Sequence, residues 1–498
     1  MIRELVYGSV AVVLFAYAVE FGFSIGDDPR EPPRVRSTIP LIGHVLGILK
    51  GGPTHYTKTG KSTPSEIHTL GVFNYKIYVS TSSRLLPIIQ KQSKSLSFRP
   101  FLQITARKHG DASDETYAIF GGTLPDELSN VVRLSLAPGP YLDDQNMRMG
   151  KRVQVEVDAL LGRGSTKQIN LLEWSRHIVV QSSSCGVYGD QHPLMDPEVE
   201  KSFWDWQNYL TAHLAGVDFL GKGYAARQKV YDAYIKYFKE FPVDGSQLAR
   251  EHQRMIREAG IGELDNAKQA SLFTIAVFSN TAPTLYWTLW EIFSRPQILE
   301  EIRQELRAHA VSGSKNGGFV LNVSALKTQS PLLVSVFQET QRTRHVNASF
   351  RQVMTDTLLD GKYLLKAGNF LQMPGEPIHA NTSIWGPTAL EFDPYRFLSK
   401  GIPQGGFVGF GSPPHLCPAR QFASTEIFII AALLIMRADM LPVAGAWDKA
   451  PALNYSDLST LLNPKRDVKV EVKAREAWAG EWTLKMGESR TRIPLASG

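Results

Sequence analysis

Cysteine is almost missing from this chain: its 498 residues hold two, Cys185 and Cys417. Two cysteines exclude a disulfide framework, and their surroundings show no zinc-ligand spacing. The natural compartment is therefore reducing and intracellular. A glycine-rich dinucleotide fingerprint is also absent, so nothing points to a nicotinamide or flavin site within the chain. No tight basic tract is interleaved with aromatic residues, which removes nucleic acid from the expected partners. No internal repeat is found, and the 40 glycines and 29 prolines follow no collagen-like period.

What is present is ordinary for a large folded protein: 43% apolar residues, 20% charged residues and a formal charge of +6. That balance suits an acidic surface or partner, although mixed surface charge explains it equally well. The N-terminus is different in kind. From Leu5 to Ile25 the chain is almost wholly apolar, broken chiefly by Glu20. About 20 such residues cross a bilayer as a helix. No small-residue cleavage signal precedes the charged run Asp27 to Glu31. Residues 1–25 are expected to form a single uncleaved transmembrane anchor, 26–43 a charged, proline-rich linker, and 44–498 one catalytic domain.

Within that domain the patterning is mainly helical, with small sheets. Tyr75 to Ser80 reads as a strand, and Leu171 to Val180, Phe203 to Leu214 and Ala225 to Phe238 carry helical periodicity. Lys268 to Leu306 is a long helical run in which Pro283 should open or kink the helix and Pro296 should start a new one. Asp360-Gly361 marks a turn between two short strands, and Val468 to Ala474 alternates like an edge strand.

The stretch that carries chemistry is Phe407-Val408-Gly409-Phe410-Gly411-Ser412-Pro413-Pro414-His415-Leu416-Cys417-Pro418-Ala419-Arg420. A glycine- and proline-rich loop delivers one cysteine to the start of an apolar helix, whose free amides stabilise a thiolate. By residue type alone this thiolate could be a nucleophile, a redox thiol or a metal ligand, and a buried structural cysteine is the commoner case. Upstream, Glu339 and Arg342 are three apart on one helix face, which by itself usually means a surface ion pair. Phe392-Asp393-Pro394-Tyr395-Arg396-Phe397 follows before the cysteine loop, and Asn280-Thr281-Ala282-Pro283 lies far ahead of it.

Taken together these motifs resemble the cytochrome P450 family. Phe410 and His415 stand where that family's cysteine loop has its aromatic and its basic residue, while Pro413 and Ala419 replace two customary glycines. Glu339 and Arg342 match its E-x-x-R motif and Arg396 its P-x-R-F element. The proline-rich linker and insert pattern look most like fungal secondary-metabolism members. Asn280, Thr281 and Pro283 are similar to the oxygen-activating helix of sterol 7-alpha- and 12-alpha-hydroxylases and of prostacyclin synthase, with Asn280 in place of the usual acid.

The resemblance implies a mainly α fold with small β-sheets and haem b held through Cys417. Phe410 would pack beside the haem, and His415 and Arg351 would meet its propionates. Glu339, Arg342 and Arg396 would form a buried structural network. Thr281 would handle protons, with Asn280 orienting water. Electrons would come from NADPH through cytochrome P450 reductase, with cytochrome b5 an optional second donor. The substrate would be a lipophilic small molecule. The placement implied is a single-pass endoplasmic reticulum membrane protein with a cytosolic catalytic domain. Two other classes stay open on the residues: a haem-thiolate isomerase, dehydratase or coupling enzyme, and a non-catalytic haem- or ligand-binding protein.

Overall fold

The computed structural model describes residues 2–162, 166–240, 242, 244–398, 402, 405–455, 457, 459–487 and 489–496, the side chains of Ile2, Arg3, Leu5, Val6, Ser9 and Ala348 apart. The architecture is mainly α with small β-sheets, as the patterning predicts. Its core is built on two helices. Arg420–Arg437 is apolar on every side, so it can only be stable when surrounded, and Ile427 to Met436 are fully buried. Glu263–Phe293 runs as one 31-residue helix beside it.

The expected interruption at Pro283 does not divide that helix. Thr284 donates its hydroxyl to the Asn280 carbonyl at 2.6 Å, and Thr288 to the Thr284 carbonyl at 2.7 Å, back-bonds within the helix on the C-terminal side of Pro283. Pro296 does open a new helix, Pro296–His309, at the position where a proline's lack of N–H costs nothing.

The helix Pro331–Arg344 crosses the core next to both. Its free N-terminal amides are met from outside, by the Glu305 carboxylate accepting from Leu332 and Leu333 at 2.9 and 3.3 Å. Phe337 on this helix meets Phe428 edge-on at 5.1 Å. A five-stranded sheet flanks the helical body in the order Ile67–Val72, Tyr75–Ser80, Phe370–Pro374, Ala348–Val353, Leu96–Ser97. Its register sets Arg351 opposite Leu371. The turn Asp360-Gly361 joins two paired strands as expected, both residues having positive φ. Lys469–Ala474 is central rather than an edge, lying between Ala438–Pro442 and Lys167–Asn170. Phe203 to Leu214 is likewise divided, into Pro197–Gln207 and Leu210–Ala215.

The N-terminal expectation needs correction. Ile2–Ile25 is a helix, yet among the described residues no helix is long and apolar enough to cross a membrane. The physical reason lies in its last third, which is tied to the following segment. Tyr17 donates its hydroxyl to the Thr38 carbonyl at 3.1 Å, Glu20 accepts the Leu41 amide at 3.1 Å, and the Phe23 carbonyl accepts from Arg34 at 3.3 Å. The stretch ahead of Tyr17 spans roughly 22 Å at a helical rise, short of the ~30 Å hydrocarbon layer. The transmembrane anchor, the membrane as a partner and the single-pass endoplasmic reticulum placement with its cytosolic domain all rested on that helix and lose their basis with it.

Candidate active site

The loop Phe407 to Arg420 is folded by its own backbone. Gly411 N–H donates to Val408 at 2.8 Å, His415 N–H to Ser412 at 3.0 Å, and Cys417 N–H to Phe410 at 2.9 Å. These bonds bring Phe410 and Cys417 together across a tight reversal. Gly411 has φ +76°, a left-handed geometry that favours glycine. At Gly409 an added Cβ would lie 2.5 Å from the Phe407 ring. Pro413 and Pro414, joined by a cis bond, form the centre of the turn closed by His415. Phe410 reaches back to Phe337 at 6.2 Å, so the loop rests on the helix that carries Glu339 and Arg342.

Cys417 is half-buried just ahead of the Arg420–Arg437 helix. Desolvation pushes its thiol up, while the backbone amides of Ala419 and Arg420 and the Arg420 charge pull it down; burial prevails. These donors are oriented for a thiolate once a cation compensates its charge. Cys185 is different: burial and the neighbouring Asp190 carboxylate, which accepts from Sγ at 3.1 Å, push its thiol up to about 12. It is an inert buried thiol.

Arg351 is buried, and the Phe350 carbonyl at 2.6 Å is its hydrogen-bond partner. Among the described residues it has no carboxylate partner, and burial lowers it to about 10. Phe98 lies between it and His415, with the guanidinium 5.9 Å and the imidazole 5.7 Å from the ring centre. Desolvation, then the Arg351 charge, holds His415 down to about 4. Two basic side chains thus share one corner, with no carboxylate partner for Arg351 among the described residues.

The structure places Glu339 and Arg342 in a fully buried bidentate pair, both bonds 2.7 Å. Arg396 donates to Glu339 at 3.1 Å, and the Asp393 amide to the same oxygen at 2.9 Å. The arginines also hold the chain around Trp385 to Glu391: Arg342 donates to the His379 carbonyl at 2.7 Å and Arg396 to that of Trp385 at 3.0 Å.

One residue joins this network to the cysteine loop, and sequence reading missed it. His379 accepts the Val408 amide on Nε2 at 3.0 Å while its carbonyl accepts from Arg342. Its ring stacks on Phe407 at 5.3 Å. Burial, then the neighbouring His345 and Arg342, holds it well below the ordinary histidine range, so it stays neutral and able to accept.

Thr281 and Asn280 lie on the Glu263–Phe293 helix, and neither hydrogen-bonds to the cysteine loop among the described residues. Thr281 is buried and donates to its own helix, to the Val277 carbonyl at 2.8 Å. Its oxygen retains a lone pair for accepting. Asn280 is exposed, and its Oδ1 accepts the Thr460 amide at 2.7 Å.

The loop thus presents one thiol with backbone donors, and Arg351 and His415 form a basic corner. Comparison with known proteins identifies the family. The family described as cytochrome P450 matches residues 228–466. The cytochrome P450 monooxygenase nodJ of Hypoxylon pulicicidum is 32% identical, covering 95% of this chain and 95% of its own. A cytochrome P450 monooxygenase of Gibberella zeae is 26% identical, covering 98% and 97%. The retinoic acid-bound cyanobacterial CYP120A1 shares the fold, with a TM-score of 0.70 over 89% of this chain and 99% of that one at 17% identity.

The chain belongs to the cytochrome P450 family. It is a haem-thiolate monooxygenase, drawing on NADPH through a partner reductase and acting on a lipophilic small molecule.

The residues present fit haem. Cys417 is a half-buried thiol with backbone donors in Ala419 and Arg420, and Arg351 is a buried guanidinium with no carboxylate partner among the described residues.

Proposed function

We propose that Cys417 is the axial thiolate of the haem and that the chain oxidises a lipophilic intermediate of secondary metabolism, as its monooxygenase relatives from Hypoxylon pulicicidum and Gibberella zeae suggest. Cys417 carries this reading, as the chemically available thiol of the two: Cys185 is held protonated beside Asp190. When bound, the haem supplies dioxygen activation, using two electrons from the reductase to place one oxygen atom in a C–H bond.

The protein's part is positional and electrostatic. The Ala419 and Arg420 amides stabilise the Cys417 sulfur, and the loop bond from Cys417 N–H to Phe410 fixes its direction. Arg351 and His415 would hold the propionates, giving the Arg351 guanidinium an anionic partner and raising His415 from about 4. Phe410, whose carbonyl accepts the Cys417 amide and whose ring meets Phe337, would pack beside the haem. Glu339, Arg342 and Arg396, through His379, hold the loop in register. Thr281, already donating to Val277, would accept a hydrogen bond from a water at Oγ1 and so position that water as the proton source.

The test is haem ligation itself. Cys417→Ser should abolish the thiolate-type Soret band of the reduced carbon-monoxide complex, whereas Cys185→Ser should keep it. A Cys417→Ser protein that retains the band would remove the assignment.

A further inference from the structure

The segment Ser489 to Ala496 ties together the two helices that support the cysteine loop. Its outer end is held by Ser489, which donates to Asp143 at 2.6 Å, and by Thr491, whose hydroxyl lies 2.8 Å from that of Ser324. Two glutamines grip the rest. Gln421 bonds the Ile493 backbone in both directions, Nε2 donating to the carbonyl at 3.0 Å and Oε1 accepting the amide at 2.9 Å. Gln338 Oε1 accepts the Ala496 amide at 2.5 Å.

The places of those glutamines give this strap its reach. Gln421 lies in the first turn of the Arg420–Arg437 helix, one residue past an amide that stabilises the Cys417 sulfur. Gln338 directly precedes Glu339 on the Pro331–Arg344 helix. Ile493 is buried in the main core, and Ala496 packs on the cluster of Trp385 and Phe407, the residue that opens the cysteine loop. A strap that merely covered apolar surface would need none of these polar ties. This one satisfies both ends of a carboxamide that is 7% exposed. The same turn is held from within by Arg420, which donates to the Cys417 carbonyl at 3.0 Å.

We propose that Gln421 is a positioning residue for the thiolate: clamped by the Ile493 backbone, it keeps the Ala419 and Arg420 amides on the Cys417 sulfur. The clamp thereby sets how much electron density the sulfur gives to iron. This rests on the axial-thiolate reading of Cys417. Hydrogen bonds to a ligating sulfur withdraw density from it, so a loosened turn gives a stiffer iron–sulfur bond and a more negative potential.

Three full-length, haem-loaded variants approach the clamp from different sides. Gln421→Met keeps the side-chain length and removes both bonds, Ile493→Ala unseats the strap with Gln421 intact, and Gln338→Met frees the far end. Exchange of the Ile493 amide should quicken about tenfold in Gln421→Met, the worth of one hydrogen bond. In Gln421→Met and Ile493→Ala the ferric–ferrous midpoint should move to more negative potential and the iron–sulfur stretching frequency should rise. Gln338→Met should move both in the same direction by less, and it decides the question if another variant fails to load haem.

A strap with a packing role alone lowers the thermal midpoint of the variants and leaves their potential and stretching frequency at the wild-type values. That result overturns the proposal. So does a shift in Gln421→Met that Ile493→Ala lacks despite faster exchange of its strap amides. A wild-type chain with no iron–sulfur band overturns the Cys417 reading and this one with it.

Discussion

Replacing Arg396 with alanine removes the outer arm of the buried carboxylate network, and the structure sets the size of the loss. Arg396 gives Glu339 a bond of 3.1 Å and donates to the carbonyls of Trp385 and Thr388, both at 3.0 Å, with its side chain 10% exposed. A hydrogen bond between charged groups contributes about 1.5–3 kcal/mol and a neutral one about 1 kcal/mol. Glu339 is not stranded, because the bidentate Arg342 and the Asp393 amide remain.

The expected cost is therefore about 3–5 kcal/mol, the range typical of breaking a buried pair. It should appear as lower haem content per chain and a lower midpoint when thermal unfolding is followed at the Soret band. Arg396→Lys keeps the charge but not the fork, so it should fall between alanine and wild type. An alanine variant with wild-type haem content and midpoint would refute the claim that this network holds the cysteine loop.

Three further perturbations test separate parts of the account. Thr281→Ala should let NADPH consumption continue while peroxide replaces product, with coupling falling at least about tenfold; unchanged peroxide per NADPH would remove the proton-handling role. His379→Ala leaves the buried Val408 amide without its acceptor, at about 1–3 kcal/mol, and should erode the thiolate-type spectrum faster on warming; identical decay would show that the loop does not need it. Glu426 is pushed up to about 8 by burial, and Ser182, which also donates to the Ile178 carbonyl, sits 2.6 Å from its Oε1. Since the folded state raises this carboxyl, its stabilising proton is fully held below about pH 4.5 and lost as pH rises through about 8. Glu426→Gln should flatten the stability profile across that window, and a variant that retains the wild-type slope would count against a protonated Glu426.

Different features of this molecule were legible for different physical reasons. Glu339 and Arg342 could be paired in sequence because helix geometry alone brings residues three apart together. Cys417 could be singled out because a glycine- and proline-rich loop before an apolar helix is a local feature. Local chain order says nothing about partners that only the fold brings together. His379 meets Val408 and Asn280 meets Thr460 across long stretches of chain. The buried isolation of Arg351 likewise depends on its position in the sheet between the Phe370–Pro374 and Leu96–Ser97 strands. The N-terminal helix misled because counting apolar residues cannot reveal that Tyr17, Glu20 and Phe23 are tied to the segment that follows. Pro283 was expected to open or kink the helix, and what lets the helix continue through it is the packing of its buried flanking residues, which chain order alone does not show.

The central claim is that one sulfur, that of Cys417, binds the haem iron. With two cysteines in the chain, heavy-sulfur cysteine labelling and resonance Raman spectroscopy of the ferric protein decide it directly. The account predicts an iron–sulfur stretching band that shifts with the isotope in the wild type and in Cys185→Ser, and that is absent from Cys417→Ser. An isotope-sensitive band that survives in Cys417→Ser, or no such band in the wild type, would contradict it.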